Sequence, residues 1–188
     1  MGRFAQAVLI VVDVQKAIDA SYHALHGPRN NTDAEQNIGR LLAAWRQHGR
    51  AIIHVRHDST FSTSAYRPGQ EGNEFKSEVS PLPEETIVAK RTNSAFIGTD
   101  LEQRLREANL RTLVVTGVST NNSVEATVRM AGNLGFDIYL VDDACFTFAR
   151  PDYHGRMRSA EEVHSMSLAN LAGEYCSVVT TDVVLRDA

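Results

Sequence analysis

RTLVVTGVSTNNSVEATVR, running from Arg111 to Arg129, holds a strand, a tight turn and the start of a helix. Leu113, Val114 and Val115 form an apolar run, Gly117 breaks it, and an amphipathic helix resumes at about Ser123. In an open α/β sheet, the turn beyond a strand's C-terminal end is where ligands bind. The reading predicts that the N–H groups of Asn122, Ser123 and Val124 are free at this helix start and point at the ligand. A side chain at 123 then stands in a positive field, and one piece of backbone can hold both a nucleophile and an oxyanion hole.

Outward from this stretch, strands alternate with helices. Ala7–Val12 is apolar at every position, as in a parallel strand covered on both faces, and ends on Asp13. Thr32 or Asp33 can cap a helix from Ala34 to His48, Gly49 ends it, and Ala51–Val55 is the second strand. Thr86–Ala89 is a third strand ending on Lys90, and Thr99 or Asp100 starts the next helix. After the central stretch come a strand over Phe136–Val141, a helix over Ser159–Leu171, a strand over Tyr175–Thr180 and a short terminal turn from Thr181 or Asp182. The pattern predicts one domain over residues 1–188, an α/β/α sandwich with a mostly parallel sheet. Residues 58–82, rich in Ser, Pro and Gly, form a connection long enough to be a lid, a binding loop or an oligomer contact.

Composition narrows the function. A net charge of −4 with no basic stripe argues against nucleic acid as a partner. The longest apolar run, Ala7–Val12, is too short to span a bilayer, and the N-terminus lacks the features of a secretory signal. Two cysteines far apart in sequence, Cys145 and Cys176, make neither a disulfide framework nor a zinc site, so a cytoplasmic location is expected.

Asp13, Lys90 and Ser123 each sit at or just past a strand's C-terminal end, and these ends share one edge of a parallel sheet. An acid, an amine and a hydroxyl converging there form a proton-handling set around a nucleophile. Taken singly, the charged residues read as solvated loop positions and Ser123 as a helix N-cap.

Three segments change that weighting: VLIVVDVQ from Val8, IVAKRTNSAFIGTDL from Ile87, and VVTGVSTNNSVEATVRMAGNLGF from Val114. Together they resemble the isochorismatase-like cysteine hydrolases, in family order, over Ala7 to about Val179. The resemblance implies a three-layer α/β/α sandwich with a six-stranded, mostly parallel sheet and an Asp-Lys-Cys catalytic set without a cofactor. Asp13 then matches the general acid/base and Lys90 the lysine, and Ser123 falls on the cysteine. It also implies a cis peptide at Val118–Ser119, with the Ser119 and Ser123 N–H groups as oxyanion hole. Dimers or tetramers are expected, with the 58–82 loop at the contact and Tyr66, Arg67 or Phe75 reaching a neighbour's pocket.

The serine is the departure that matters, because a hydroxyl is far harder to deprotonate than a thiol. The retained Asp13 and Lys90 favour a serine introduced in place of cysteine. A natural member that uses serine weakly, or that has lost covalent catalysis, is the alternative. The leading function is hydrolysis of a small amide or ureido compound. Vinyl ether cleavage of the isochorismatase type, with Asp13 alone as acid, is a second reading, and a silent ligand-binding protein a third.

Gln15, Arg56, His57, Phe96, Asn122 and Phe146 are the candidate substrate contacts, Arg56 and His57 having loop anchorage as the alternative. His54, His57 and Asp58 do not reproduce the spacing of the superfamily's metal site, so no metal is expected. Cys145, at the end of a strand but with no helix after it, reads as an inert buried thiol, and Cys176 as core.

Overall fold

In the computed structural model, which describes residues 2–19 and 27–187, an all-parallel sheet organises the chain. Its strands are β1 (Val8–Val12), β2 (Ile52–His57), β3 (Thr86–Lys90), β4 (Thr112–Val118) and β5 (Asp137–Phe146). A two-residue ribbon of β6 (Arg150–Pro151) and β7 (Met157–Arg158) follows, and β8 (Ser177–Val179) completes the sheet in the order β3-β2-β1-β4-β5-β8. The order runs outward in both directions from the β1–β4 pair, and a crevice opens at such a reversal.

Side-chain alternation on the strands divides the core. On one face Val8, Ile10 and Val12 pack with α2 (Leu101–Glu107), α3 (Glu125–Asn133) and α4 (Ala160–Leu171) through Leu105, Val128 and Leu171. On the other, Leu9 and Val11 pack with Ile38, Leu42 and Trp45 of α1 (Ala34–Gln47) and Val184 of α5 (Thr181–Arg186). All five residues of β1 are buried, as its unbroken apolar run requires.

The helices begin close to where the capping residues place them. Ser159 caps α4 with a full capping box through Glu162, and the Thr180 hydroxyl accepts from Val183 N at the start of α5. Asp33 occupies the N-cap of α1, but its side chain accepts no capping bond. Strand β5 runs five residues past the expected Val141, to Phe146, because it re-pairs with β4 beyond an irregularity between Val115 and Gly117. The 58–82 connection is not structureless. It carries two short 3₁₀ turns, Glu71–Asn73 and Ser77–Val79, and is tied to the β1 end by Lys76 N donating to Val14 O at 3.1 Å.

Candidate active site

Asp13, Lys90 and Ser123 meet at the C-terminal edge, on the face that carries α2 and α3. Asp13 is the first residue after β1 and has φ of 56°, so its backbone turns sharply out of the strand. That turn is held by Gln15 N donating to Asp13 O at 2.9 Å and Asp13 N donating to Val55 O at 3.0 Å. Lys90 ends β3 two residues after the core residue Val88, so period two aims it at the same face.

The segment after β4 differs from a simple helix start. The Val118–Ser119 peptide is cis, and Thr120–Val124 forms a π turn before α3. The N–H groups of Asn122 and Val124, expected to be free, both donate to Ser119 O, at 3.0 and 3.3 Å. The wide turn folds them back on the chain instead of leaving them for a ligand. Gly117 lets β4 lie this close to β1: its φ is 128°, and a Cβ there would overlap the Val12 backbone.

Lys90 Nζ donates to Asp13 Oδ2 at 2.7 Å, to Thr92 O at 3.0 Å and to Ser123 Oγ at 3.4 Å. All three residues are buried, at 4, 1 and 7% exposure for Asp13, Lys90 and Ser123. Asp13 Oδ1 has no hydrogen-bond partner among the described residues. Burial pushes the Asp13 carboxyl above its ordinary value, against the pull of Lys90 and the smaller pulls of Ser123 and His57.

His57 belongs to this cluster: its Nδ1 lies 3.5 Å from Lys90 Nζ, and the edge of Tyr66 packs 5.7 Å away. Burial lowers its basicity, with Asp13 pulling the other way. The remaining candidates are placed differently. Gln15 is fully buried and spends its amide on the protein, donating to His57 O at 3.1 Å and Asn73 O at 2.8 Å and accepting from His57 N at 2.7 Å. These bonds make it a clamp on the end of β2. Arg56, one residue before His57, points to the opposite face of the sheet by period two and pairs with Asp58 at 2.8 Å. Phe96 is core, 5.8 Å from the Phe136 ring, and Phe146 is wholly buried with the Arg29 guanidinium 3.9 Å over its ring. Asn122 is exposed on the turn.

Tyr66 and Phe75, expected to reach a neighbour, pack on this chain's own His57 and His54. His54 is buried and bonded through Nε2 to Glu85 at 2.9 Å. Among the described residues no group of three His, Cys, Asp or Glu side chains is placed to hold a metal ion. Burial pushes the Cys145 thiol well up, and Cys176 up to about 11, so neither is a thiolate at neutral pH.

Sequence reasoning missed two participants. The Thr92 carbonyl holds Lys90, and Asn73 donates to His57 O, Asp58 Oδ1 and Tyr66 O, at 3.0, 3.0 and 2.9 Å. Neither has a local sequence signal, since a backbone carbonyl is common to every residue and Asn73 reads as an ordinary loop residue.

Comparison with known proteins places the fold in a family. A family model described as the isochorismatase domain matches residues 7–183. The isochorismatase family protein YrdC of Bacillus subtilis is 42% identical over 95% of this chain and 94% of its own. A crystal structure of an isochorismatase-family protein from Chromobacterium violaceum is 56% identical, covers 97% of this chain and 93% of its own, and superposes with a TM-score of 0.94. The ureidoacrylate amidohydrolase RutB of Cronobacter turicensis is 30% identical over 74% of each chain. No helix among the described residues is long and apolar enough to cross a membrane. With its parallel six-stranded sheet, its matched domain and these relatives, the chain belongs to the isochorismatase family of hydrolases.

Proposed function

We propose that the protein hydrolyses a C–N bond in a small amide or ureido compound, with position 123 as the site of attack. The observation that carries this reading is the single ammonium of Lys90 bonded to both the buried Asp13 carboxylate and Ser123 Oγ. The relative named as a ureidoacrylate amidohydrolase supports the substrate class.

In the thiol form, the group at 123 passes its proton to Asp13 and adds to the carbonyl carbon. The oxygen of the tetrahedral intermediate takes up negative charge beside the Ser119 and Ser123 N–H groups, the proposed oxyanion hole. Asp13 then gives its proton to the departing nitrogen as the C–N bond breaks, leaving an acyl-enzyme. Water enters, Asp13 takes one of its protons, and the acid leaves as the nucleophile is restored. Lys90 keeps the carboxylate placed through both halves. The raised Asp13 pKa suits this work, because a carboxyl that both accepts and returns a proton must not be locked in its ionised form. His57, half-buried with Nδ1 3.5 Å from Lys90 Nζ, is the proposed substrate contact beside this set.

Serine at 123 makes the first proton transfer far harder, so the protein as it stands is expected to be weak or silent. The test compares it with Ser123→Cys on small amides, ureido compounds including ureidoacrylate, and isochorismate. Ammonia release by Ser123→Cys, at least a hundredfold faster than by the serine protein, is the expected result. Pyruvate from isochorismate at equal rates in both proteins transfers the assignment to vinyl ether cleavage, for which Asp13 alone is the acid. No product from either protein sinks the hydrolase reading of this site.

A further inference from the structure

Thr120 opens the turn that carries position 123, and it is gripped from the side by α4. His164 Nδ1 lies 2.8 Å from Thr120 Oγ1, and His164 Nε2 lies 2.7 Å from Asp142 Oδ1. Ser167, nearly one helical turn further along, shares its one hydroxyl hydrogen between Glu125 Oε2 at 2.6 Å and Thr120 O at 3.1 Å. Thr120, His164 and Ser167 are each no more than 2% exposed, whereas the Asp142 side chain is 42% exposed.

The direction of these bonds follows from their chemistry. A carboxylate only accepts, so the imidazole hydrogen sits on Nε2. In the neutral ring Nδ1 is then the acceptor, and the Thr120 hydroxyl donates to it. Thr120 is thus held by its hydroxyl and by its carbonyl, on the residue directly after Ser119. A buried polar chain of this kind is a costly way to join a helix to a sheet when apolar side chains would do so without desolvation. It joins α4 to β5 and to the start of α3, and it fixes Thr120, the residue that leads from Ser119 into the turn.

We propose that His164, oriented by Asp142, is a positioning residue for the reaction at 123: through Thr120 it holds the Ser119 N–H where the oxyanion forms. This rests on the reading of 123 as the nucleophile position. Donor placement of this kind matters steeply, since a displacement of about 1 Å can cost on the order of a hundredfold in rate.

The test is made on the Ser123→Cys protein and does not need its substrate. Acetaldehyde adds to a thiolate to give a tetrahedral adduct whose oxygen occupies the oxyanion position, whereas alkylation by iodoacetamide needs no oxyanion donor. Thr120→Val is expected to weaken the adduct by about tenfold or more, and Asp142→Asn by less. Thr120→Ser restores it, and alkylation rates stay within about threefold throughout. An adduct equally stable in Thr120→Val overturns the proposal, as does a loss that tracks alkylation and thermal stability and is not restored by Thr120→Ser. Failure of the function reading looks different: Ser123→Cys by itself then releases no ammonia, while the adduct comparison still decides whether the Thr120–His164–Asp142 link positions the oxyanion donor.

Discussion

Two buried carboxylates, Asp13 and Glu35, are 4 and 6% exposed, yet their surroundings drive them in opposite directions. Glu35 on α1 is forked by the Arg29 guanidinium, with Nη1 to Oε1 at 2.7 Å, and its Oε1 also accepts from Lys76 Nζ at 2.9 Å. Burial would raise its pKa, but these two cations outweigh that and hold it down at about 2. Asp13 has one cation on one oxygen, a bare second oxygen, and a pKa that burial carries upward. A carboxylate with both oxygens bonded to cations is a structural anchor. One left incomplete keeps its capacity to take and return a proton.

The sharpest way to break this comparison is through turnover. In the Ser123→Cys protein, Asp13→Asn is expected to lower hydrolysis by about a hundredfold to ten-thousandfold, because it removes the acid/base group. Glu35→Gln is expected to leave the rate within about twofold, since Glu35 lies outside the cluster at the sheet edge. Equal losses in the two variants, measured as ammonia release, would erase the distinction.

Lys90→Met sharpens it through stability. Removing the ammonium strands the Asp13 charge, at a cost of about 3–5 kcal/mol at pH 7. Without Lys90 the folded-state pKa of Asp13 stands still further above its unfolded value. The protonated carboxyl is then the form that suits the fold, its stability is present below the unfolded pKa, and it is lost as pH rises through the folded one. The gap between wild type and Lys90→Met in urea melts should therefore narrow from pH 7 to pH 4, and a constant gap would contradict the assignment.

Glu35 has the opposite sign and a smaller effect. Its folded pKa of about 2 lies below the ordinary value of 4.5, so its contribution is present above pH 4.5 and lost as pH falls toward 2. Glu35→Gln should cost about 2 kcal/mol at pH 7, the scale of hydrogen bonds to charged groups, and should flatten the acid limb of the stability profile. An unchanged acid limb in the variant would place the acid-sensitive step elsewhere.

The sequence alone determined the order of strands and helices, the burial of β1 and the edge on which Asp13, Lys90 and Ser123 lie. The first two follow from period two and period 3.6, which act over a few residues, and the third from the edge that strand C-termini share in any parallel sheet. It also carried the family motifs that make position 123 stand out. Only the tertiary structure decided which polar side chains face the cluster. Gln15 and His57 are 42 positions apart, and whether Gln15 meets a substrate or clamps His57 depends on how two strand ends and the 58–82 connection pack. Arg56 and His57 are adjacent in sequence and part only because alternation on β2 sends them to opposite faces. Phe96 and Phe146 carry no local mark that separates a core ring from a pocket ring. The partners of Asp13 and Glu35 are settled in the same way: a carboxylate's pKa is set by what lies within a few ångströms, and chain-distant groups come that close only in the folded molecule.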